Sequence, residues 1–321
     1  MDRQLSLEFA RITEQAALKS ARLVGLGDKE GADQAAVDGM HEQFALTPDS
    51  RTVVIGEGEI DEAPMLYIGE HVGQGGEEVD IAVDPVEGTN LVAKGKNGAI
   101  AVLAIAPKGC LLHAPDMYMQ KICVGPRAKG RIDIRASVTE NLKNVADAMG
   151  REVSDLTMVI LDRERHEKII REAREAGARV YLITDGDVVP SVDCGIQGSG
   201  IHMVMGSGGA PEGVLSAVGL KCLGGDMQAR LLPQTEQEIQ RLHTMGIDDP
   251  NKVLTLDDLV KGDDCIFAET AITDCAMLRG VRFFGGGART STLVLRYKTG
   301  TVRFIDTVHR FGEDKPGVRM F

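Results

Sequence analysis

Apolar residues recur at helical spacing at the start of the chain, and short runs of β-branched residues follow. Leu5, Phe9, Ile12 and Ala16 are three or four positions apart, which predicts a long amphipathic helix. Later segments rich in Val, Ile and Ala lack that spacing and predict buried strands. For this part of the chain we predict helices over 4–25 and about 32–44, strands over 52–55, 79–83 and 99–106, and further sheet over 110–114 and 121–124.

After about residue 136, predicted helices and strands alternate. This order is typical of βαβ units and predicts a parallel sheet. The predicted elements are helices over 139–149, 164–176, 211–218 and 234–245, and strands over 158–161, 179–183, 204–205, 265–268, 292–297 and 302–308. A Gly- and Pro-containing segment within 125–137 is the predicted domain boundary, and a second crossing is expected near 285. The regions expected are 1–130, 131–285 and 286–321, with the last packing back on the first.

The charge balance narrows the classes of function. The chain has 321 residues and a formal net charge of −12, from 36 Lys and Arg against 48 Asp and Glu. Nucleic acids and anionic membranes are bound by cationic surfaces, so this balance argues against both. Six cysteines without a Cys-x-x-Cys pair predict buried thiols in a reducing cytoplasm. The chain begins without an apolar signal core and contains no run of about 18 apolar residues, which also predicts a cytoplasmic protein.

The segment Asp84-Pro85-Val86-Glu87-Gly88-Thr89 carries the strongest local signal. The predicted strand 79–83 ends directly in Asp84, and proline then turns the chain away from strand geometry. Glu87 is close enough in sequence to place an oxygen on the same hard cation as Asp84. Gly88 permits close backbone approach, and Thr89 is predicted to cap the following helix. A surface turn with a helix cap is the alternative, but the combination of features favours a metal site.

A second predicted strand, 52–55, leads into Gly56-Glu57-Gly58-Glu59 in the same way. A glutamate at this position can reach past the edge of the sheet and share the site. Two glutamates in a loop are also typical of a solvated surface, so this segment gains weight only beside the first one. Asp33, near the start of the second predicted helix, is interpreted from its position as a partner of the helix dipole.

The segment Gly206–Gly213 is rich in glycine, follows an apolar strand and opens a helix at Pro211. Glycine amides at a helix N-terminus form a cradle for phosphate. Glu212 is then either a partner of the helix dipole or a metal ligand beside that phosphate. Because the segment lacks the ending of a Walker A motif and the spacing of a dinucleotide fingerprint, neither ATP nor NAD is indicated.

Two further segments offer groups for a sugar phosphate. Asp185-Gly186-Asp187 follows a predicted strand and is either an ordinary turn or an acceptor for sugar hydroxyls. Arg163, Arg165 and His166 mark either a solvated helix start or a phosphate site, since arginine binds phosphate oxygens with a planar fork. Carboxylates outnumber histidines at every candidate site, and zinc-ligand spacing is absent, so Mg²⁺ or Mn²⁺ is favoured over zinc.

Seven motifs, in order along nearly the whole chain, resemble those of the bacterial class II fructose-1,6-bisphosphatases. They are Gly27-Asp28-Lys29 with Ala32-Asp33, Ile55–Glu59, Ala63–Tyr67, Asp84–Thr89, Ala114–Met119, Asp185–Asp187 and Gly208–Gly213. The family belongs to the metal-dependent, lithium-sensitive phosphatase superfamily. The resemblance therefore implies a mixed α/β (α+β) fold with α-β-α-β-α layers, a sandwich of the sugar phosphatase superfamily.

The resemblance also implies roles for particular residues. The metal ligands, for Mn²⁺ or Mg²⁺, would be Asp33, Glu57, Asp84, Glu87 and Glu212. The residues around the sugar bisphosphate would be Glu87, Gly88, Thr89, Tyr118, Arg163, Glu164, Arg165, Asp185, Gly186, Asp187 and Gly209. The catalytic residues would be Thr89, Glu57 and Asp84, with Thr89 orienting or activating the attacking water. Region 1–130 would bind metal and catalyse, region 131–285 would bind substrate, and the protein would form a homo-oligomer, either dimer or tetramer.

The function expected is hydrolysis of D-fructose 1,6-bisphosphate to D-fructose 6-phosphate and phosphate, in gluconeogenesis. One alternative adds sedoheptulose 1,7-bisphosphate as a substrate. Another is a non-catalytic regulator that binds metal and phosphosugar, which would need no water-activating hydroxyl and is disfavoured by Thr89. An inositol-phosphate phosphatase is disfavoured by the Gly-Glu-Gly-Glu and Ala-Pro-Asp-Met-Tyr segments. Bound divalent ions would make the pocket positive despite the net charge of −12.

Overall fold

A computed structural model describes residues 1, 5–47, 50–58, 65–73, 78–244, 247–249 and 251–312. The chain divides into two compact units: unit 1 is Met1–Gly109 with Asp263–Phe321, and unit 2 is Cys110–Gly262. The chain thus leaves unit 1 before the predicted boundary within 125–137 and returns before residue 285. The division into regions 1–130, 131–285 and 286–321 stays a prediction.

The helices and strands of the described residues follow in chain order. The α-helices are α1 (Leu5–Ala21), α2 (Lys29–Phe44), α3 (Thr89–Ala93), α4 (Val138–Met149), α5 (Glu167–Glu175), α6 (Val188–Asp193), α7 (Ala210–Leu223), α8 (Glu236–Thr244) and α9 (Leu256–Leu259). The strands are β1 (Ser50–Ile55), β2 (His71–Val72), β3 (Glu78–Glu87), β4 (Ile100–Pro107), β5 (Tyr118–Val124), β6 (Thr157–Leu161), β7 (Arg179–Ile183), β8 (Met203–Gly209), β9 (Asp226–Leu231), β10 (Leu254–Thr255), β11 (Ile266–Ala271), β12 (Arg282–Phe284), β13 (Gly287–Arg296) and β14 (Thr301–Arg310).

Unit 1 contains a mixed sheet of eight strands. Its order is β12-β13-β11-β4-β3-β1-β2, and β14 pairs with β13. Only β1 and β3 pair in parallel; the other pairs in this part of the described chain are antiparallel. The pattern predicts the two C-terminal strands over 292–297 and 302–308. β13 (Gly287–Arg296) begins earlier than predicted and ends one residue earlier, and β14 (Thr301–Arg310) is longer than predicted at both ends.

The core of unit 1 lies between this sheet and the helices α1 and α2. Phe9, Ile12 and Ala16 on α1 are fully buried, as the helical spacing predicts. Burying one large apolar side chain stabilises the fold by about 1.5–3 kcal/mol. Helix α2 begins at Lys29 rather than near residue 32, because the carboxylate of Asp28 accepts a hydrogen bond from the Gly31 amide at 2.8 Å and caps the helix.

Unit 2 contains a second mixed sheet, with the order β10-β9-β5-β8-β6-β7. β6 pairs in parallel with β7 and β8, which confirms the βαβ pattern predicted there. The remaining pairs, among β5, β8, β9 and β10, are antiparallel. Strand β9 was not predicted, because its alternation of buried and half-buried residues extends over only six positions.

The prediction of sheet over 110–114 is wrong. Leu111 forms only an isolated bridge with Val260. The amide of Ala114 donates to the carbonyl of Leu112 at 2.8 Å, which turns the chain within that segment and ends the extended pairing. The prediction of a mixed α/β class is confirmed, because each unit combines helices with a mixed sheet. None of the helices described is both long enough and apolar enough to cross a membrane.

Candidate active site

In unit 1, Asp33 and Glu57 form a pair of carboxyl groups. Asp33 lies in the first half of α2, and Glu57 follows the end of β1. Their side chains are hydrogen-bonded to each other. The pKa of Glu57 is raised to about 8. The largest cause is burial, and the negative charge of Asp33 and the hydrogen bond between the two side chains add to it. Burial also raises the pKa of Asp33, although the hydrogen bond from Glu57 opposes this. The pair therefore holds a proton near neutral pH.

Glycine is needed beside Glu57 because the backbone there runs against a neighbouring segment. The Glu57 amide donates to the carbonyl of Leu66 at 3.0 Å. A Cβ added at Gly56 would lie 1.9 Å from that carbonyl oxygen and 2.7 Å from Val53 Cγ1. Only glycine permits this approach, which places Glu57 opposite Asp33. Glu59, the second glutamate of the motif, lies outside the described residues.

The segment Asp84–Thr89 differs from its prediction in two ways. The strand does not end at Asp84: β3 continues to Glu87, with a shift of its pairing with β4 between these two residues. The shift is a bulge, which accommodates Pro85 because proline cannot donate to the ladder. The predicted cap is also wrong, because Gly88 is the N-cap of α3 and Thr89 is its first residue.

This bulge and the glycine after it orient the predicted metal ligands. Asp84 Oδ1 accepts a hydrogen bond from the Val86 amide at 3.1 Å. Glu87 is buried at the end of the strand. Gly88 has a φ of 89°, in the left-handed region, and a Cβ there would lie 2.9 Å from Leu91 Cδ1. Glycine therefore allows the chain to turn sharply from Glu87 into the helix that begins with Thr89.

In unit 2, a buried lysine neutralises the predicted sugar-binding carboxylate Asp187. Lys121 is 1% exposed, and its Nζ lies 2.9 Å from Asp187 Oδ1 and 2.8 Å from Oδ2. The same Nζ donates to the Gly209 carbonyl at 3.3 Å. Burial acts to lower the pKa of Lys121, but the charges of Asp187 and Glu212 outweigh it and raise that pKa. Lys121 is therefore a fixed positive charge in contact with Asp187 and Gly209.

Glu212 lies beside this ion pair and has an unsatisfied oxygen. Its Oε2 is buried without a hydrogen-bond partner among the described residues. Burial raises the pKa of Glu212, and the charge of Lys121 opposes the shift. A Cβ at Gly209 would lie 1.9 Å from Oε2, so the carboxylate occupies the space that glycine leaves open. A buried carboxylate oxygen without a donor is suited to bind a cation.

The glycine segment 206–213 is not the loop that the sequence predicts. Gly206 to Gly209 belong to β8, and α7 begins at Ala210 with Gly209 as its N-cap. The strand continues because β5 pairs with it along its whole length, up to Tyr118 opposite Gly209. The N-terminus of α7, rather than a glycine loop, is therefore the part of this segment that offers free amides to an anion.

Arg165 is held in place by a serine and a tyrosine. Its Nε donates to Ser207 Oγ at 2.9 Å, and its Nη2 donates to the Ser207 carbonyl at 2.9 Å. The guanidinium lies over the ring of Tyr118, which is itself largely exposed. Hydrogen bonds and stacking together orient a charged fork in unit 2.

His166 holds Ser207, the hydrogen-bond partner of Arg165, in position. Its Nε2 accepts a hydrogen bond from the Ser207 amide at 2.9 Å, so its Nδ1 carries the proton and donates to the Leu161 carbonyl at 2.8 Å. Burial, opposed by the bond to Leu161, lowers the pKa of His166 and keeps the ring neutral. The ring therefore fixes Ser207, which in turn fixes Arg165.

Two further segments of unit 2 contain predicted substrate residues. Arg163 and Glu164 directly precede Arg165, and Asp185–Asp187 directly precede α6. Arg163 donates to the carbonyls of Asp162 and Thr184, and Glu164 is exposed. Gly186 has a φ of 76°, which lets the chain turn between Asp185 and the buried Asp187 at the start of α6.

The described residues bring together Asp33 with Glu57, and Asp187 with Glu212, but they contain no group of three or more His, Cys, Asp or Glu side chains at metal-binding distances. The five-carboxylate metal site thus stays a prediction. Sequence reasoning missed Lys121 and Ser207. A lysine inside the apolar run Lys121–Val124 was a signal for a buried charge, whereas Ser207 carried none.

The comparisons with known proteins agree with the motifs over the whole chain. The family described as bacterial fructose-1,6-bisphosphatase, glpX-encoded, matches residues 3–309. A relative from Synechococcus sp. (strain JA-2-3B'a(2-13)), named D-fructose 1,6-bisphosphatase class 2/sedoheptulose 1,7-bisphosphatase, is 50% identical over the full length of both chains. A relative of the same name from Crocosphaera subtropica is 48% identical, covering 96% of this chain and 97% of its own.

Proposed function

The chain belongs to the bacterial fructose-1,6-bisphosphatase family, and we propose that it hydrolyses D-fructose 1,6-bisphosphate to D-fructose 6-phosphate and phosphate with the help of divalent cations. The Asp33–Glu57 pair supports the metal dependence, because two adjacent, half-buried carboxyl groups that share a proton can exchange it for a cation. The reaction belongs to gluconeogenesis. The six cysteines, all described and all present as thiols, support a cytoplasmic location.

The residues that would hold Mn²⁺ or Mg²⁺ in unit 1 are Asp33, Glu57, Asp84 and Glu87. The donor set is made of hard carboxylate oxygens, and these suit both ions. In unit 2, Glu212, whose buried Oε2 has no hydrogen-bond partner among the described residues, is a further proposed metal ligand. A bound divalent cation polarises the phosphoryl oxygens and neutralises the charge that develops on the leaving oxygen.

The protein groups supply positioning, which is most of what an in-line phosphoryl displacement needs. Arg165 offers its remaining N–H groups to a phosphate, while Tyr118 and Ser207 hold its plane. The proposed substrate set is otherwise the predicted one: Glu87, Gly88, Thr89, Arg163, Glu164, Asp185, Gly186, Asp187 and Gly209. Thr89, at the start of α3, orients the attacking water through its hydroxyl.

Sedoheptulose 1,7-bisphosphate is a second proposed substrate. The relatives quoted above are named for both activities, and they are 48–50% identical over nearly the full chain. The two bisphosphates differ in the length of the carbon chain, not in the phosphoryl group that is removed. The ratio of kcat/KM for the two substrates decides whether this protein uses both.

A phosphate-release assay tests the proposed function. We expect release from fructose 1,6-bisphosphate only when Mn²⁺ or Mg²⁺ is present, and a loss of 100-fold or more in kcat for Thr89→Ala and Asp84→Ala. The matched controls are Thr299→Ala and Asp147→Ala, both exposed, which should keep wild-type activity. Release at background with either metal, or full activity of the first two variants, would contradict the proposal.

We also propose that the protein is a homo-oligomer, and that a second copy covers one face of β14. This strand pairs with β13, and none of the described strands pairs with its other edge. Val302, Phe304 and Val308 share a face and are 45–54% exposed. Long exposed apolar edge strands are usually covered, because they otherwise aggregate. Light scattering should show a dimer or tetramer that Phe304→Asp dissociates and Leu46→Asp does not.

A further inference from the structure

Unit 2 contains a positively charged cavity that the proposed function does not use. Its volume is about 480 Å³, within the range of small-molecule sites. Arg127, Arg151, Arg179 and His202 line it, and Gly195–Ile201 forms one wall. All of its lining residues are described, and none of them is Asp or Glu. In a chain with a net charge of −12, a cavity with this lining is unusual.

The arginines are held in place without being neutralised. Arg127 donates to the Met149 carbonyl at 2.7 Å. Arg179 donates to Thr157 Oγ1 at 3.2 Å and to the Asp155 carbonyl at 2.7 Å. These acceptors are uncharged, and none of the ion pairs formed by the described residues includes Arg127, Arg151 or Arg179. The charge of the Asp155 carboxylate acts on His202. The positive charges of the three arginines are therefore available to an anion.

The side chains of Arg151 and His202 bring two N–H donors together. The Thr157 amide donates to His202 Nδ1 at 2.9 Å, so the proton of the neutral ring is on Nε2. Arg151 Nη1 lies 3.0 Å from that Nε2. Arginine has only donors, so two N–H groups point at one another. Burial, followed by the charges of Arg151 and Arg179, lowers the pKa of His202, which agrees with a neutral ring.

The wall Gly195–Ile201 is a turn whose backbone closes one side of the cavity. Gly198 and Gly200 have φ values of 91° and 77°, in the left-handed region, and a Cβ at either would meet nothing within 4 Å. The amides of Ser199 and Ile201 donate to the Ile196 carbonyl at 3.3 Å and to Ser199 Oγ at 3.2 Å, so this turn is held by its own hydrogen bonds. Ile196, Ile201 and Met149 give the cavity an apolar part next to these polar groups.

We propose that this cavity binds the phosphate group of a small molecule, with one phosphate oxygen beside Arg151 Nη1 and His202 Nε2, within hydrogen-bond distance of both. An oxygen placed there accepts from both N–H groups and removes their conflict. Arg127 and Arg179 add charge, and the planar fork of arginine suits phosphate oxygens. The same chemistry could come from free phosphate or from a phosphate monoester, whose organic part would lie against the apolar wall. This site is separate from the residues assigned to the proposed reaction.

Calorimetric titration of the full chain tests the proposal, with inorganic phosphate and phenyl phosphate as probes. An Arg165→Gln background weakens phosphate binding at the proposed substrate site. In that background, Arg151→Gln and the exposed Arg127→Gln should each weaken phosphate binding at least 10-fold. Arg135→Gln, which removes an exposed arginine outside the cavity, should leave it unchanged. Tighter binding of phenyl phosphate than of phosphate would identify a monoester as the ligand, and the reverse would identify the free ion.

Equal affinity of the Arg151→Gln, Arg127→Gln and Arg135→Gln proteins would overturn the proposal. Arg127 forms a single hydrogen bond at the surface, so its variant reports on binding even if Arg151→Gln fails to fold. Phosphate release from fructose 1,6-bisphosphate, measured in the same variants with wild-type Arg165, separates the two hypotheses. Activity in Arg127→Gln with weakened phosphate binding supports both, and inactivity of the wild type bears only on the proposed function.

Discussion

The guanidinium of Arg165 lies over the ring of Tyr118, with its central carbon 5.0 Å from the ring centroid. Two hydrogen bonds to Ser207 hold the other edge of the same plane. These contacts use two of the five N–H donors and fix the direction of the rest. An arginine restrained in this way loses little entropy when it binds a phosphate.

Arg165→Lys tests this arrangement. Lysine keeps the charge but has neither the fork nor the plane, so we expect KM for fructose 1,6-bisphosphate to rise about 10-fold, with a smaller change in kcat. Tyr118→Phe should keep KM, because the ring remains, whereas Tyr118→Ala should raise it. Steady-state kinetics measure these effects. Arg174→Lys, at an exposed position of α5, is the matched control, and an unchanged KM in Arg165→Lys would show that this fork does not hold substrate.

Metal binding should release a proton. The pKa of Glu57 is raised to about 8, first by burial and then by Asp33, so the pair is protonated at pH 7 and a cation must displace that proton. Titration with Mn²⁺ at pH 7, in two buffers with different ionisation enthalpies, gives the number of protons released. We expect about one for the wild type and fewer for Glu57→Gln. Identical heats in the two buffers would contradict this prediction.

Removing the charge of Lys121 should destabilise the fold strongly. Lys121→Met leaves the buried carboxylate of Asp187 without its cation, and such a loss costs about 3–5 kcal/mol. Lys108→Met breaks an ion pair of the same length, 2.8 Å, with Glu78, but both partners are exposed. That control should lose far less stability, because solvent screens an exposed ion pair. Urea unfolding measures both, and similar losses in the two variants would disprove the buried role.

Asp193 should make stability depend on pH. Both carboxylate oxygens are buried without a hydrogen-bond partner in the described part of the chain, and burial raises the pKa from 3.8 to about 7. Between these values the folded state holds a proton that the unfolded state has lost. Stability therefore falls as pH rises towards 7, by about 1.4 kcal/mol per unit for this group, and levels off above it.

The variant Asp193→Asn isolates this contribution. The free energy of unfolding of the wild type, relative to the variant, should decrease between pH 5 and 7 and stay constant from pH 7.5 to 8.5. Asp147→Asn, with an exposed side chain, should show the pH dependence of the wild type. If Asp193→Asn and the wild type have parallel curves, the pKa of Asp193 is not raised.

Gly56→Ala should weaken both stability and activity. The added Cβ would lie 1.9 Å from the Leu66 carbonyl oxygen, so the backbone before Glu57 must move. We expect a loss of about 1–3 kcal/mol in the free energy of unfolding, together with a reduced kcat. Gly285→Ala is the control, because a Cβ there meets nothing within 4 Å. Thermal unfolding and phosphate release measure the two effects, and wild-type values for Gly56→Ala would contradict the close approach.

Local signals account for much of the fold. Helical spacing located α1, and the alternation of strands and helices located β6, α5 and β7, since both patterns depend only on neighbouring residues. The same local logic misjudged Asp84–Glu87 and Gly206–Gly209, where glycine and proline indicated loops. Pairing of these segments with neighbouring strands overrode that preference.

The sequence by itself determined the mixed α/β class, the order of the motifs and the candidate carboxylates of this protein. Only the tertiary structure decided which of these residues meet: Asp33 with Glu57, Lys121 with Asp187, and Arg165 with Tyr118. The partners in each pair are 24 to 66 positions apart. Strand order and packing bring them together. At Glu57 burial also raises the pKa, because the cost of a buried charge depends on the groups packed around it.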